Sequence, residues 1–210
     1  MHAIAAAGLQ GGAQLIYNSI FPHPRMENMA TKKPVRKQAK RRAPRPAFRL
    51  TSPDIRSGGT IAMEQVFNSF GCTGKNISPA LAWSGAPEGT KSFALLCHDP
   101  DAPTGGAGWW HWLVLNIPVL ATSLEKDAGN ANSMKLPAGA VHVNTDFGGP
   151  GWGGPCPPPG DRPHRYIFTL YALKVDRLDA SGGTASLAGY MVNGNAIGKA
   201  TLIGKFARKN

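Results

Sequence analysis

Asp99 and Asp101 flank Pro100 in the run Asp99-Pro-Asp-Ala-Pro103, directly after an apolar stretch. Two prolines in five residues stiffen the turn. An aspartate there either caps the turn by accepting backbone N–H groups or stands at the mouth of a cleft. Two carboxylates so close together are not expected both to face a core. His111 follows the acidic turn by eight residues, inside Trp109-Trp-His-Trp112, so one connection brings both to the same end of a sheet. Alternation along a strand puts Trp110 and Trp112 on the face opposite His111. Gly148–Gly160 (GGPGWGGPCPPPG) has almost no side-chain freedom apart from Trp152 and Cys156. It reads as a rigid loop whose backbone N–H groups can approach an anion. His164-Arg165-Tyr166 opens a further apolar strand, with His164 and Tyr166 on one face and Arg165 on the other. Imidazole N–H and phenol O–H are donors. Two histidines and a tyrosine beside a Gly/Pro loop make a pocket for a polyatomic anion.

Other chemistries compete for the same residues. Two histidines with Asp99 and Asp101 can bind a metal, but they come from separate loops without a cysteine, and no metal or cofactor is expected. Cys156 and His164 can form a nucleophile pair, which makes a hydrolase the alternative reading. A cysteine fixed between two prolines, with no evident oxyanion hole, reads better as a semi-buried structural thiol. The three cysteines, Cys72, Cys97 and Cys156, cannot all pair internally, and none forms C-x-x-C. A disulfide framework and a cysteine zinc site are therefore not expected. Neither His98 nor His142 is assigned a role.

The elements that must position these residues are mostly strands. With 26 Gly, 18 Pro and 17% charged residues, the composition points away from a helical bundle and towards turns and strands. Phe48–Ser52, Leu81–Ser84, Lys91–Cys97, Trp110–Ile117 and Tyr166–Val175 read as strands, as does Thr60–Val66. Helices are predicted at Thr184–Met191 and Asn193–Lys199, before a last strand over Ala200–Phe206. Such an order suggests an antiparallel β-sandwich with a few short helices. No run approaches the ~18 apolar residues of a membrane span.

The 210 residues carry a formal charge of +11, and it is unevenly placed. Residues 1–49 hold +9, and residues 50–210 only +2. Lys32 to Arg49 (KKPVRKQAKRRAPRPAFR) is broken by prolines and repels itself, so residues 1–46 read as a disordered basic arm ahead of a domain over 47–210. The arm reads as a solubilising tail in preference to a weak, salt-sensitive contact for nucleic acid or anionic lipid. Residues 1–25 lack an early Lys or Arg, and their apolar stretch is interrupted by Gly8, Gln10, Gly11 and Gly12, so no signal peptide is read. Met26 and Met29 are alternative starts. A cytoplasmic location is expected on that ground and on three unpaired cysteines.

Four motifs in order, DPDAP at 99–103, WHW at 110–112, GPCPP at 154–158 and HRYIF at 164–168, resemble those of the phosphatidylethanolamine-binding protein family. So do NISPALAWSGAPEGTKSFAL at 76–95, NIP at 116–118 and FTLYAL at 168–173. The wording is similar to the bacterial branch often called Raf-kinase-inhibitor-like proteins, and it covers roughly residues 48–208. The resemblance implies a large antiparallel β-sandwich with a small anion cavity at one end, lined by Asp99, His111, His164 and Tyr166. Asp101, Trp110, Pro157 and Pro158 would shape its mouth. It also implies a non-enzymatic binding protein for phosphate-bearing ligands, either a phospholipid headgroup or a phosphorylated residue. A kinase or protease partner and a homodimer are further expectations of the same kind. Asp99 should repel phosphate, so it either holds a histidine cationic or binds an ammonium group. Asn195 stands where family members often have a histidine. The C-terminal helix of eukaryotic members is not recognisable, and lid behaviour is not transferred.

Overall fold

Apolar residues at every second position build a small sheet that is buried on one face only. In β1 (Arg49–Thr51) Leu50 points inward between two exposed neighbours, and in β2 (Leu81–Ser84) Leu81 and Trp83 do the same. The computed structural model describes residues 46–179 and 182–209, so the basic arm lies outside the described residues except at Pro46. β3 (Ser92–Asp99) and β4 (Trp109–Pro118) are nearly continuous apolar runs instead. Such runs are required when both faces of a sheet are covered.

The remaining elements are β5 (Ser123–Leu124), β6 (Val141–His142), β7 (His164–Leu173), α1 (Ala185–Asn195) and β8 (Ala196–Phe206). The strands form two sheets, ordered β1-β2-β5 and β6-β4-β3-β7-β8, with antiparallel neighbours throughout. Leu50, Leu81, Trp83 and Leu124 of the small sheet share one core with Phe93, Leu95, Trp112 and Phe168 of the large one. The other face of the large sheet, through Ala94, Leu96, Leu113 and Leu115, packs under Ala185, Ala188 and Val192 of α1. The expected antiparallel β-sandwich is thus the fold, with one helix on its outer face.

Several local expectations are corrected. Thr60–Val66 is not a strand. Thr60 makes a single bridge to Lys205, and the chain then turns, with Gln65 N–H donating to the Ala62 carbonyl at 3.0 Å. Ile61 and Val66 are buried without a ladder, which is why their pattern imitates one. Asn193–Lys199 is not a second helix. The first, capped by the Thr184 side chain on Leu187 N–H, runs on to Asn195. Ala196 then turns extended and pairs with Leu173, because β7 requires a partner along its full length.

The cysteines are also corrected. Cys72 and Cys156 form a disulfide across 84 positions of sequence, and Cys97 is free and buried. Three unpaired thiols therefore no longer argue for the cytoplasm. Among the described residues, no helix is long and apolar enough to cross a membrane.

Candidate functional site

The site depends on one extra residue in β4. Cys97 pairs with Trp112, yet the next residue of β3, His98, pairs with Trp110. His111 is left opposite no partner, as in a β-bulge. Strict alternation is lost there. Trp112 packs in the inter-sheet core, 6.0 Å from Trp152 between ring centroids, and the His111 ring lies 6.3 Å from the same Trp152. His111 and Trp112 thus share a face, contrary to the alternation expected from sequence. Trp110 goes to the opposite face, where its ring lies 4.2 Å from that of His98 in a tilted contact, and packs beside α1.

The bulge turns His111 towards the end of the sandwich, where β3 and β7 bring their own polar ends. Asp99 closes β3 and His164 opens β7, and the two side chains meet at 2.8 Å, His164 Nδ1–H donating to Asp99 Oδ2. Both are almost completely buried. The second Asp99 oxygen caps the following turn by accepting from Asp101 N–H at 2.8 Å. His164 Nε2 lies 3.3 Å from Asp161, so each ring nitrogen faces a carboxylate. Tyr166 sits one alternation further along β7, its ring 5.0 Å from His111. Its hydroxyl is buried and makes no close hydrogen bond among the described residues. Burial, helped by the charge of Asp99, pushes that phenol well above its ordinary range, so it stays protonated and able to donate.

The Gly/Pro loop fixes His111 from the other side. His111 Nδ1–H donates to the Gly153 carbonyl, and Gly153 N–H donates back to the His111 carbonyl at 2.9 Å. Only glycine allows this approach, because a Cβ on Gly153 would stand 2.3 Å from the Phe147 ring. Asn76 holds the neighbouring turn. Its side chain donates to the Trp152 carbonyl and accepts from Gly154 N–H at 2.8 Å. The N–H groups of Trp152, Gly153 and Gly154 are all engaged by protein acceptors. These three N–H groups are thus not free to meet an anion, and this part of the loop gives the cavity a carbonyl and apolar walls. Burial holds His111 down at about 4, against the Gly153 carbonyl and Asp99, which pull it up.

These groups enclose a cavity of about 230 Å³. Asp99, His111, His164, Tyr166, Pro157 and Pro158 all line it. Asp101 and Trp110 do not. Trp109, Phe147 and Phe70 supply an aromatic wall that sequence reading missed, with Ala102, Pro103 and Thr104 along the acidic turn. Phe147 and Phe70 each stand beside a glycine in a loop, the one sequence signal that marks them. Asp101 is half-buried at the surface, so only Asp99 of the two carboxylates faces inward, and the cover of Asp101 is two arginines. Arg165 clamps it through Nε at 2.8 Å and Nη2 at 2.9 Å, and Arg162 adds a contact at 2.9 Å. The Arg165 guanidinium first of all holds the Asp101 carboxyl down at about 2. Cys156 also faces the cavity, but its sulfur is bonded to Cys72. It is not the free thiol expected, and no thiolate nucleophile is available there.

Comparison with known proteins agrees with this architecture. UPF0098 protein YbcL of Escherichia coli is 52% identical over 157 residues, which is 74% of this chain and 85% of that protein. UPF0098 protein YbhB of the same organism is 42% identical over 161 residues, 76% of this chain and 100% of that protein. The crystal structure of E. coli YbcL, described as a new member of the mammalian PEBP family, superposes with a TM-score of 0.75 at 49% identity, covering 77% of this chain and 99% of that one. Residues 51–207 match the family described as phosphatidylethanolamine-binding protein, and the chain belongs to that family.

Proposed function

We propose that the protein is a non-enzymatic binding protein that captures a phosphate-bearing group in the cavity between Asp99, His111, His164 and Tyr166. The observation that carries this reading is the Tyr166 hydroxyl, a buried donor that makes no close hydrogen bond among the described residues, with the Asp99 carboxylate near it. Leaving such a group unsatisfied is costly, and a ligand oxygen would satisfy it. The cavity, at about 230 Å³, is smaller than the ~300–1,000 Å³ of pockets for drug-sized ligands. It suits a headgroup, with the rest of the ligand running out along Phe70 and Phe147. The family's name, which denotes phosphatidylethanolamine binding, points the same way. The Cys72–Cys156 bond favours an oxidising compartment over the cytoplasm.

Titration calorimetry with inorganic phosphate and phosphoethanolamine tests the reading. His164→Ala and His111→Ala should each abolish the heat of binding. Tyr166→Phe, which removes one hydrogen bond to a charged ligand, should weaken affinity about tenfold or more. Unchanged affinity in all three variants would rule out this cavity as the site.

A further inference from the structure

One donor of the site is already engaged by a carboxylate of the chain itself. His164 commits Nδ1–H to Asp99 at 2.8 Å, so Nε2 is the ring nitrogen left for a ligand. That nitrogen faces Asp161 at 3.3 Å. An ionised carboxylate only accepts, so Nε2 takes the donor role towards it. A phosphate oxygen bound to His164 needs the hydrogen that Asp161 now receives. Asp161 is placed to give it up. It lies in the rim between Pro158 and His164, which both line the cavity, and residues 158–163 are exposed throughout. The His164 side chain is 3% exposed and that of Asp161 43%, so one partner is fixed and the other stands half in water. A carboxylate displaced by a phosphate would still stand beside it, two anions at one mouth. The guanidiniums of the rim are committed elsewhere. Arg162 and Arg165 hold Asp101, and Arg208 holds the Phe70 and Gly71 carbonyls. The cavity itself is lined by neither Lys nor Arg. A ligand that brings its own cation removes the repulsion.

Resting on the reading above, we propose that Asp161 is a specificity residue, selecting ligands in which a short chain joins the phosphate to an ammonium group. In the structure it accepts from His164 Nε2–H. With ligand bound, a phosphate oxygen takes that hydrogen, Tyr166 donates to a second oxygen, and the ammonium pairs with the freed carboxylate. Inorganic phosphate and simple alkyl phosphates leave that carboxylate beside an anion, without a partner, and bind less tightly. A phosphoserine within a peptide has no amine of its own and falls in the same weaker class. Both phosphate monoesters and phosphodiesters are accepted, because the selection acts on the amine and not on the ionisation of the phosphate.

The test is titration calorimetry on the full chain, at low salt and about pH 8, where the phosphates are fully ionised and an alkylamine is protonated. Phosphoethanolamine is compared with ethyl phosphate, and glycerophosphoethanolamine with glycerophosphoglycerol. In each pair the amine should bind about fivefold more tightly. Asp161→Asn keeps the shape and removes the charge. It should tighten ethyl phosphate about fivefold and leave phosphoethanolamine within about twofold, so that the preference disappears. A merely structural role for Asp161 would move both ligands of a pair alike. The same preference in the diester pair assigns the ligand to a lipid headgroup, and preferential binding in the monoester pair alone assigns it to a soluble phosphoamine. Equal affinities within both pairs for wild type, or a preference that survives Asp161→Asn, overturn the assignment while the binding function stands. If no phosphate probe binds wild type, the binding function is overturned and this selection with it.

Discussion

The disulfide between Cys72 and Cys156 closes a long stretch of chain, and its removal should be measurable in stability before it is measurable in shape. The two cysteines are 84 positions apart. Chain-entropy reasoning gives about 4.5 kcal/mol for a loop of that length, within a general range of about 2–5 kcal/mol for native disulfides. The folded state has other ties between the same loops. Arg208 Nη2 donates to the Gly71 carbonyl at 2.9 Å, and Phe67 N–H donates to the Pro155 carbonyl at 3.1 Å. These ties keep the native loops in place, so the loss falls on the unfolded ensemble. The double variant Cys72→Ser/Cys156→Ser should therefore fold, with stability lower by about 2–4.5 kcal/mol and Tm lower by about 4–18 °C. Equilibrium urea unfolding is the assay, run with and without reductant. Wild type in reductant should match the double variant, and reductant should leave the double variant unmoved. Thiol titration of unfolded, unreduced protein should find one thiol, Cys97. Three thiols, or a wild type indifferent to reductant, would refute the pairing and the reasoning from it.

Three further outcomes follow from the site. Gly153→Ala drives a Cβ into Phe147, displaces the carbonyl that holds His111, and should abolish phosphate binding while lowering stability by about 1–3 kcal/mol, as read by calorimetry and thermal melts. Trp110→Ala should lower stability by about 2–4 kcal/mol with phosphate affinity kept, whereas Trp109→Ala should weaken phenyl phosphate binding with a smaller change in Tm. His111 is neutral in the fold, held down at about 4 from an ordinary 6.5, so the unfolded chain binds more protons between those values. Its contribution is fully present above pH 6.5 and is lost as pH falls towards 4, about 2–4 kcal/mol in all. Urea unfolding against pH should show that slope, and His111→Gln should flatten it.

The long strands were legible because their residues leave few options. β3 and β7 are apolar on both faces and lack breakers, and the helix read over Thr184–Met191 is the first part of α1. β5 and β6 span two residues each, too short to carry a period. Ile61 and Val66 showed that burial without a ladder looks the same in sequence as a strand. The cavity residues Asp99, His164 and Tyr166 were readable from turn chemistry and alternation. Trp110 was placed at the mouth by the family resemblance, whereas alternation from His111 already set it on the opposite face and left Trp109 on the cavity side, as found; the bulge, which leaves no composition signal, misplaces only Trp112. The disulfide was missed for a related reason. An odd number of cysteines argued against pairing, and only the fold brings Cys72 to Cys156. Phe70 and Phe147 join the cavity wall through loops whose paths no periodicity encodes.

The unpaired residue in β4 makes the cavity a matter of counting. Substituting a lining residue would change the site by degrees. Deleting one residue between Trp109 and Trp112 would restore regular alternation and exchange the faces of everything on the amino-terminal side. The imidazole, the aromatic wall and the contact with α1 would all be reassigned in a single step. Insertions and deletions in this short stretch are therefore all-or-none events for the pocket, and a library that varies its length samples presence or absence of the site rather than its affinity.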